Sequence, residues 1–191
     1  MTDPDKLLLK QAQQDSQAFA AVYEKYYKPV FGYAFRRLGD YDLARDIAAE
    51  TFLKAFNKIS FFEWRNIPLS SWIFRIATNE INQYFRKAKY RPAYLEDIQY
   101  SHHLANDPGI ETERAALEKQ TAENKEFLEV QRELARLDTK YQEVIAFRYF
   151  EEKSIKEIAE ILNKKEGTVK SLISRGLDKL KDAINNRRQG F

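Results

Sequence analysis

The sequence predicts an all-α protein of two small helical domains joined by a flexible linker, and three observations carry that expectation. Apolar residues recur at three- and four-residue spacing over most of the chain, as in helices with one buried face. Glycine (6) and proline (5) are scarce among 191 residues, which argues against the many tight turns of a sandwich or barrel. A stretch of weak periodicity, 93–125, separates two legible blocks, 1–92 and 126–191.

In the first block Phe19, Val22, Tyr23, Tyr26 and Val30 repeat at helical spacing between Asp15 and Leu38. Pro29 lacks an amide proton and is expected to kink or restart that helix. Gly39-Asp40 reads as a stop and Asp42 as the cap of the next helix. There Ala44, Ala48, Phe52, Ala55, Phe56 and Ile59 form one apolar stripe. Ser60 to Ser70 has no period and contains Pro68, so it reads as a loop, with Phe61, Phe62, Trp64 and Ile67 as unusual content. A further helix is expected from about Ser71 to Lys89, with Trp72, Ile73, Ile76, Ala77, Glu80 and Tyr84 along one side, ending at Arg91-Pro92.

The linker is acidic and contains the turn signal Asn106-Asp107-Pro108-Gly109. Beyond it, Phe127, Val130, Leu134 and Leu137 mark one helix. Thr139 with Gln142 suggests a capping box for a second helix reaching Tyr149, and Ser154 with Glu157 suggests another for a short helix carrying Ile158, Ala159 and Leu162. After Asn163-Lys164-Lys165-Glu166, a last helix turns Val169, Ile173, Leu177, Leu180 and Ile184 inward. A capped short helix, a turn and a longer basic helix make a helix-turn-helix pattern.

Composition narrows the function classes. Hydrophobic residues reach 43% and charged residues 32%, with a mean hydropathy of −0.64, as in a charge-rich helical protein with enough apolar mass for a core. The absence of cysteine removes disulfides, cysteine-ligated zinc and thiol catalysis together. Among the first 30 residues only Leu7 to Leu9 form an apolar run, so neither a signal peptide nor a membrane span is expected, and the location expected is cytoplasmic. His102 and His103 are adjacent in the linker and do not converge on one face, and glycine-rich phosphate loops, nucleophile elbows and metal-ligand spacings are missing. No catalytic residue, metal or cofactor is expected, and an enzyme is set aside.

Net charge is +3 but uneven. Residues 1–92 carry 15 basic and 10 acidic side chains, 93–125 carry 3 and 7, and 164–191 carry 8 and 3. Two polyanion-facing modules joined by a segment that avoids the polyanion would look like this, although solvated helix faces can fluctuate as much.

Three constellations point to specific chemistry. With Val169, Ile173 and Leu180 inward, the 100° step per residue turns Ser171, Ser174, Arg175 and Asp178 outward, with Lys170 at the flank. Such a face suits a DNA major groove, where arginine and lysine reach guanine edges or phosphates and small serines permit close approach. Second, the aromatic loop, with Phe61, Phe62 and Trp64 beside Arg65 and Asn66, runs into a helix with Arg75, Asn79, Asn82 and Arg86 on one face and Gln83 beside them. Aromatic rings stack on unpaired bases, amides read their edges and arginines hold phosphates; the same rings could equally plug a small core, and for Trp72 and Phe74 the core reading is preferred. Third, Asp42, Asp46 and Glu50 form an acidic stripe, either a solvated face or a docking surface for a basic partner.

These motifs, in this order, resemble an extracytoplasmic-function (group IV) sigma factor of bacterial RNA polymerase. DLARDIAAETFLKAFNKI, Asp42 to Ile59, resembles region 2.2 of that family; Phe61 to Arg86, including SSWIFRIATNEINQYFRK, resembles regions 2.3 and 2.4; Leu134 to Leu180, with SIKEIAEIL and EGTVKS, resembles region 4. The resemblance implies a transcription initiation factor with a region 2 domain over 1–92 and a region 4 domain over 126–191. Its partners would be core polymerase, duplex promoter DNA, the melted non-template strand and an anti-sigma protein. Asp42, Asp46, Ala49 and Glu50 then correspond to the surface that docks on the clamp helices of the largest polymerase subunit. Phe62 and Asn79 correspond to a pocket for a flipped base of the −10 element, within a wider set of Trp64, Arg65, Asn66, Arg75, Asn82, Gln83 and Arg86. Lys164, Lys165, Thr168, Lys170, Ser171, Leu172, Ser174 and Arg175 correspond to the reader of the −35 element, and the acidic linker would run toward the RNA exit channel. Two departures stand out: Ala49 replaces the usual glutamine of the docking motif, and Leu172 and Leu177 stand where basic residues are common.

A conventional regulator whose first half senses a ligand, and a helical adaptor that binds only proteins, are the competing readings. A sensor predicts a pocket in residues 1–92; the sequence there shows an aromatic loop beside an amide-bearing basic face.

Overall fold

The computed structural model describes residues 4–64, 67–89 and 125–189, and these form helices joined by short turns. The linker as far as residue 124, with His102 and His103, lies outside the described residues, as do Arg65 and Asn66.

In the first half α1 spans Pro4–Gln14, α2 Phe19–Leu38, α3 Tyr41–Lys58 and α4 Leu69–Lys89, with 3-10 turns at Ser16–Ala18 and Ile59–Phe61. Helix α1 is absent from the periodicity reading because it is short and buries only Leu9 and Ala12. Its signals are those of a helix start: Pro4 at the first position and Asp5 in the first turn. Helix α2 runs through Pro29 without a break. The amide that proline lacks costs one backbone bond, and burial of Tyr26, Val30 and Tyr33 on either side offsets that loss. Gly39, with φ of +69°, ends α2 in the left-handed conformation that favours glycine. The cap of α3 is Asp40 rather than Asp42: the Asp40 carboxylate accepts from the Leu43 amide at 2.9 Å, and Asp42 lies in the first turn. The apolar stripe of α3 packs against α2 and α4 as expected except at Phe56, which is 43% exposed and meets Phe19 edge-on at 5.2 Å.

The second half contains α5 (Lys125–Arg136), α6 (Thr139–Ile145), a π-helical turn at Ala146–Phe150, α7 (Ile155–Leu162) and α8 (Glu166–Gln189). The capping box at Ser154 forms: its hydroxyl accepts from the Glu157 amide at 3.2 Å, and the Glu157 carboxylate accepts from the Ser154 amide at 2.8 Å. Burial works against the Glu157 carboxylate, but the hydrogen bonds from Ser154 outweigh it and hold its pKa below the usual value. The box expected at Thr139 does not form. Asp138 takes the cap position, and the Gln142 amide turns back to donate to the carbonyls of Ala135 and Leu137, both at 2.8 Å, tying off α5.

The halves share one continuous core. Phe147 of the π-helical turn stacks on Tyr33 of α2 at 4.3 Å between ring centroids and meets Phe74 of α4 edge-on at 5.5 Å. All three rings are essentially without exposed surface. Trp72, placed in the core with Phe74 by the sequence reading, is half-buried and packs against that core from its edge.

Candidate nucleic-acid interface

The helix-turn-helix is built by α7, the turn after it and α8. Asn163 closes α7 in the left-handed conformation at φ 51°, a geometry that asparagine tolerates better than most residues. Helix α8 then crosses α6 closely at Gly176. A Cβ there would lie 3.0 Å from Ile145 and 3.2 Å from Tyr141, so the crossing depends on the missing side chain. This seating buries Val169, Ile173 and Leu180 and leaves Lys164, Lys165, Thr168, Lys170, Ser174 and Arg175 exposed. Ser171 and Leu172 are half-buried, and Leu172 packs against the core, so its side chain offers the outer face less than its position suggests.

The second candidate surface joins the aromatic loop to α4. Phe62 is half-buried and lies 4.6 Å from Trp72, with the rings tilted by 31°. Phe61 stands 84% exposed, further into solvent than Leu53, Phe56 or Tyr84. Trp64 is half-buried, with the Lys6 ammonium 5.5 Å above its ring. On α4, Asn79 and Arg86 are exposed and Gln83 is half-buried.

Arg75 and Asn82 do not form one open row with Asn79 and Arg86. The Arg75 guanidinium donates to the main-chain carbonyls of Ile161, at 3.1 Å, and Glu160, at the end of α7. Asn82 accepts from Arg37 at 3.1 Å and donates to Glu143 of α6 at 3.4 Å. Arg37 is 1% exposed and also donates to the Tyr33 hydroxyl at 3.1 Å, which in turn shares a 3.0 Å hydrogen bond with Thr78. Desolvation pushes the Tyr33 phenol up to about 12 and raises the Glu143 carboxyl, against the pull of Arg37 on both. A second seam carboxylate, Glu151, lies 3.4 Å from Arg36 without hydrogen-bond geometry and is likewise raised by burial. None of Arg37, Glu143 and Phe147 is legible as functional in the sequence, since each meets a residue far along the chain: Arg37 and Glu143 meet Asn82, and Phe147 meets Tyr33 and Phe74.

On α3, Asp46 and Ala49 are exposed, whereas Asp42 and Glu50 are half-buried. Glu50 pairs with Lys54 at 3.1 Å, and Lys54 also holds Glu80 of α4 at 2.5 Å, a contact that leads in raising the lysine's pKa. Beside this stripe the apolar side chains of Leu53 (55%) and Phe56 (43%) reach solvent, an exposure that a stripe drawn from spacing alone misses.

Among the described residues no cluster of histidines, cysteines and acids could hold a metal ion, and no helix is long and apolar enough to cross a membrane.

Residues 22–91 match the family described as Sigma-70 region 2, and residues 127–180 match Sigma-70, region 4. The chain is 33% identical over 191 residues to the ECF RNA polymerase sigma factor SigW of Bacillus subtilis (strain 168), covering 95% of this chain and 97% of that protein. It is 30% identical to the ECF RNA polymerase sigma-E factor of Haemophilus influenzae (strain ATCC 51907 / DSM 11121 / KW20 / Rd), over 94% and 95% of the two chains. Among solved structures, CnrH in complex with the cytosolic domain of CnrY aligns with a TM-score of 0.66 at 22% identity, over 96% of this chain and 99% of that one. The sigma factor RpoE in complex with the anti-sigma factor NepR from Bartonella quintana aligns with the same TM-score at 21% identity, over 87% and 96%. These two likenesses speak to the fold.

Proposed function

The chain belongs to the extracytoplasmic-function sigma factors of the sigma-70 family, and from that premise we propose how its surfaces divide the work of initiation. Residues 1–92 bind core polymerase and the −10 element, 126–191 bind the −35 element, and 93–125 connect them. The α3 surface around Asp46 and Glu50, with Leu53 and Phe56 beside it, docks on the polymerase clamp. Lys170, Ser174 and Arg175 enter the major groove of the upstream element, with Lys164 and Lys165 on flanking phosphates. Phe62 and Asn79 receive an unpaired base of the non-template strand, so that capture of the base drives strand separation. An anti-sigma protein holds the factor silent in the cytoplasm. Covering both modules at once would do so, as the solved relatives of the same fold are bound by partners.

The observation that carries this reading is the presence of two nucleic-acid faces of different chemistry in one chain. One is a helix of small and basic outward residues, and the other is an aromatic turn beside exposed Asn79 and Arg86. A ligand-sensing regulator needs only the first. The engagement of Arg75 and Asn82 by α6 and α7 adds a condition: this arrangement is the idle form, and α4 has to part from the second half before its whole face can meet DNA.

The test is run-off transcription with core polymerase and promoter fragments, combined with permanganate footprinting. Phe62→Ala and Asn79→Ala are expected to leave closed-complex binding largely intact while thymine reactivity near the start site falls. Full reactivity in both variants rejects the base pocket, and a parent that directs no promoter-specific transcript rejects the assignment as a whole.

A further inference from the structure

A side-chain amide can offer DNA a donor or an acceptor, and which end of Asn82 faces outward is set by residues buried behind it. The order of donors is fixed from one main-chain atom outward. The Thr78 hydroxyl spends its proton on the Phe74 carbonyl of its own helix at 2.8 Å. Its oxygen therefore accepts from the Tyr33 hydroxyl at 3.0 Å, and the Tyr33 oxygen is left to accept from Arg37 at 3.1 Å. The second terminal nitrogen of Arg37 donates to Asn82 Oδ1 at 3.1 Å. A guanidinium has protons only to give, so the amide oxygen lies inward and the NH2 group outward.

Arg37 has little freedom to do otherwise. It is 1% exposed, its guanidinium carbon lies 5.6 Å from the centre of the Tyr33 ring and 5.8 Å from that of Phe85, and its Nε is buried without a hydrogen-bond partner among the described residues. A buried charge with one nitrogen unmatched is a costly arrangement, and cohesion alone gives no reason for it, since an apolar side chain of similar length would fill the space at less cost. In the closed form the outward NH2 donates to the Glu143 carboxylate at 3.4 Å, so an acceptor already stands where DNA would come. Tyr33 and Arg37 belong to α2, and Phe74, Thr78 and Asn82 to α4. The chain of donors therefore lies wholly within the first half and survives when Glu143 leaves.

We propose that Arg37 is a positioning residue for reading of the −10 element: by turning the Asn82 NH2 outward it makes α4 accept a base edge that offers an acceptor and refuse one that offers only a donor. In the major groove guanine presents N7 and O6, both acceptors, whereas cytosine presents its exocyclic amine. Cytosine opposite Asn82 brings two donors face to face, and guanine restores the bond that Glu143 makes in the closed form. Asn82 lies one turn beyond Asn79 on the way to exposed Arg86, so it meets a different base from the one received by Phe62 and Asn79. This rests on the −10 reading above and adds to it the residue that sets the amide's polarity and the base that polarity excludes.

The test is transcription by holoenzyme from a barcoded promoter library with a randomised −10 element, the transcripts being sequenced. Parent, Arg37→Met, Arg37→Lys and Asn82→Asp are compared, each checked by circular dichroism. The parent is expected to disfavour cytosine against guanine at one position by roughly five- to tenfold, the scale of one donor left unmatched. Arg37→Met frees the amide to turn over and is expected to remove most of that ratio. Arg37→Lys, whose ammonium also only donates, is expected to keep it. Asn82→Asp, an acceptor at both oxygens, is expected to reverse it, so that guanine becomes the base refused. A change in closure or stability moves all sequences together and leaves these ratios as they are, which separates positioning from support of the fold. Arg37→Met with the parent's ratio overturns the proposal. Uniform weakening of every sequence in Asn82→Asp also overturns it, because the amide then meets a phosphate. If Arg37→Met fails to fold, Asn82→Asp decides alone: reversal upholds the proposal and an unreversed ratio sinks it. A parent with a −10 preference but no position that disfavours cytosine overturns the proposal and leaves the wider reading in place; a parent without any −10 preference overturns both.

Discussion

The two faces that the sequence treats as equivalent basic surfaces are held in opposite states. On α8, Lys170, Ser174 and Arg175 stand in solvent. On α4, Arg75 and Asn82 are bound to the end of α7 and to Glu143, while Asn79 and Arg86 of the same helix remain exposed. One candidate face is presented to solvent and the other is half covered by its neighbour. A charged residue at an outward helical position is therefore not yet a free residue, because a second layer of packing decides which outward positions reach water.

The most drastic way to break this difference is to make the closure permanent. Arg36 and Glu151 face each other across the seam and belong to neither DNA surface. Because the chain contains no cysteine, Arg36→Cys with Glu151→Cys creates a unique pair that a short bis-maleimide can bridge. The bridged protein is expected to lose run-off transcription by roughly tenfold or more, as for any device that removes the competent state, while keeping its affinity for a duplex upstream element. The unbridged double variant should transcribe like the parent. Full transcription by the bridged form would mean that the halves need not separate.

A smaller effect sharpens the exposed side of the comparison. Arg175→Ala should cost about 1–3 kcal/mol on the preferred upstream sequence and blur the preference at one base pair. Lys164→Ala, in the turn before α8, should weaken all sequences alike and reduce the salt slope by about one. Binding selection on randomised upstream elements separates the two; an unchanged base preference in Arg175→Ala would make it a solvated arginine.

The smallest expected effect concerns protons in the seam. Desolvation raises the pKa of Glu143 and Glu151 in the closed form above the ordinary carboxylate value they regain when the halves part, with Arg37 and Lys164 opposing at Glu143 and Arg36 and Lys153 at Glu151. The closed form thus binds protons more readily. Its advantage from these groups is full below the ordinary carboxylate range and is lost as pH rises through the raised values. Distance between labels on the two halves, followed by energy transfer, should show tighter closure on acidification. Glu143→Gln combined with Glu151→Gln should remove that dependence.

Much of the architecture was legible where sequence neighbours make the structure. The Ser154–Glu157 box forms as its spacing implies, and the inward row of α8 buries Val169, Ile173 and Leu180. Errors arose where two local solutions competed. Asp40 and Asp42 can both cap α3, and the one directly after Gly39 does so because the chain leaves α2 in the left-handed turn there. At Thr139 the expected partner Gln142 is drawn instead to the carbonyls at the end of α5. Of the candidate sites, the exposed face of α8 followed from helical geometry alone. The ties of Arg75, Asn82 and Leu172 did not, since they depend on residues distant in the chain or on how deeply the helix sits.

The packed rings of Tyr33, Phe74 and Phe147 have a thermal consequence. Parting the halves hydrates aromatic surface that is almost fully sheltered, and hydration of apolar surface raises the heat capacity of the opened chain. The enthalpy of opening therefore climbs with temperature, and the apolar share of the cohesion fades on cooling, as hydrophobic attraction does in general. Cooling therefore weakens the apolar part of the contact between the halves, so temperature bears on that contact through three sheltered aromatic rings.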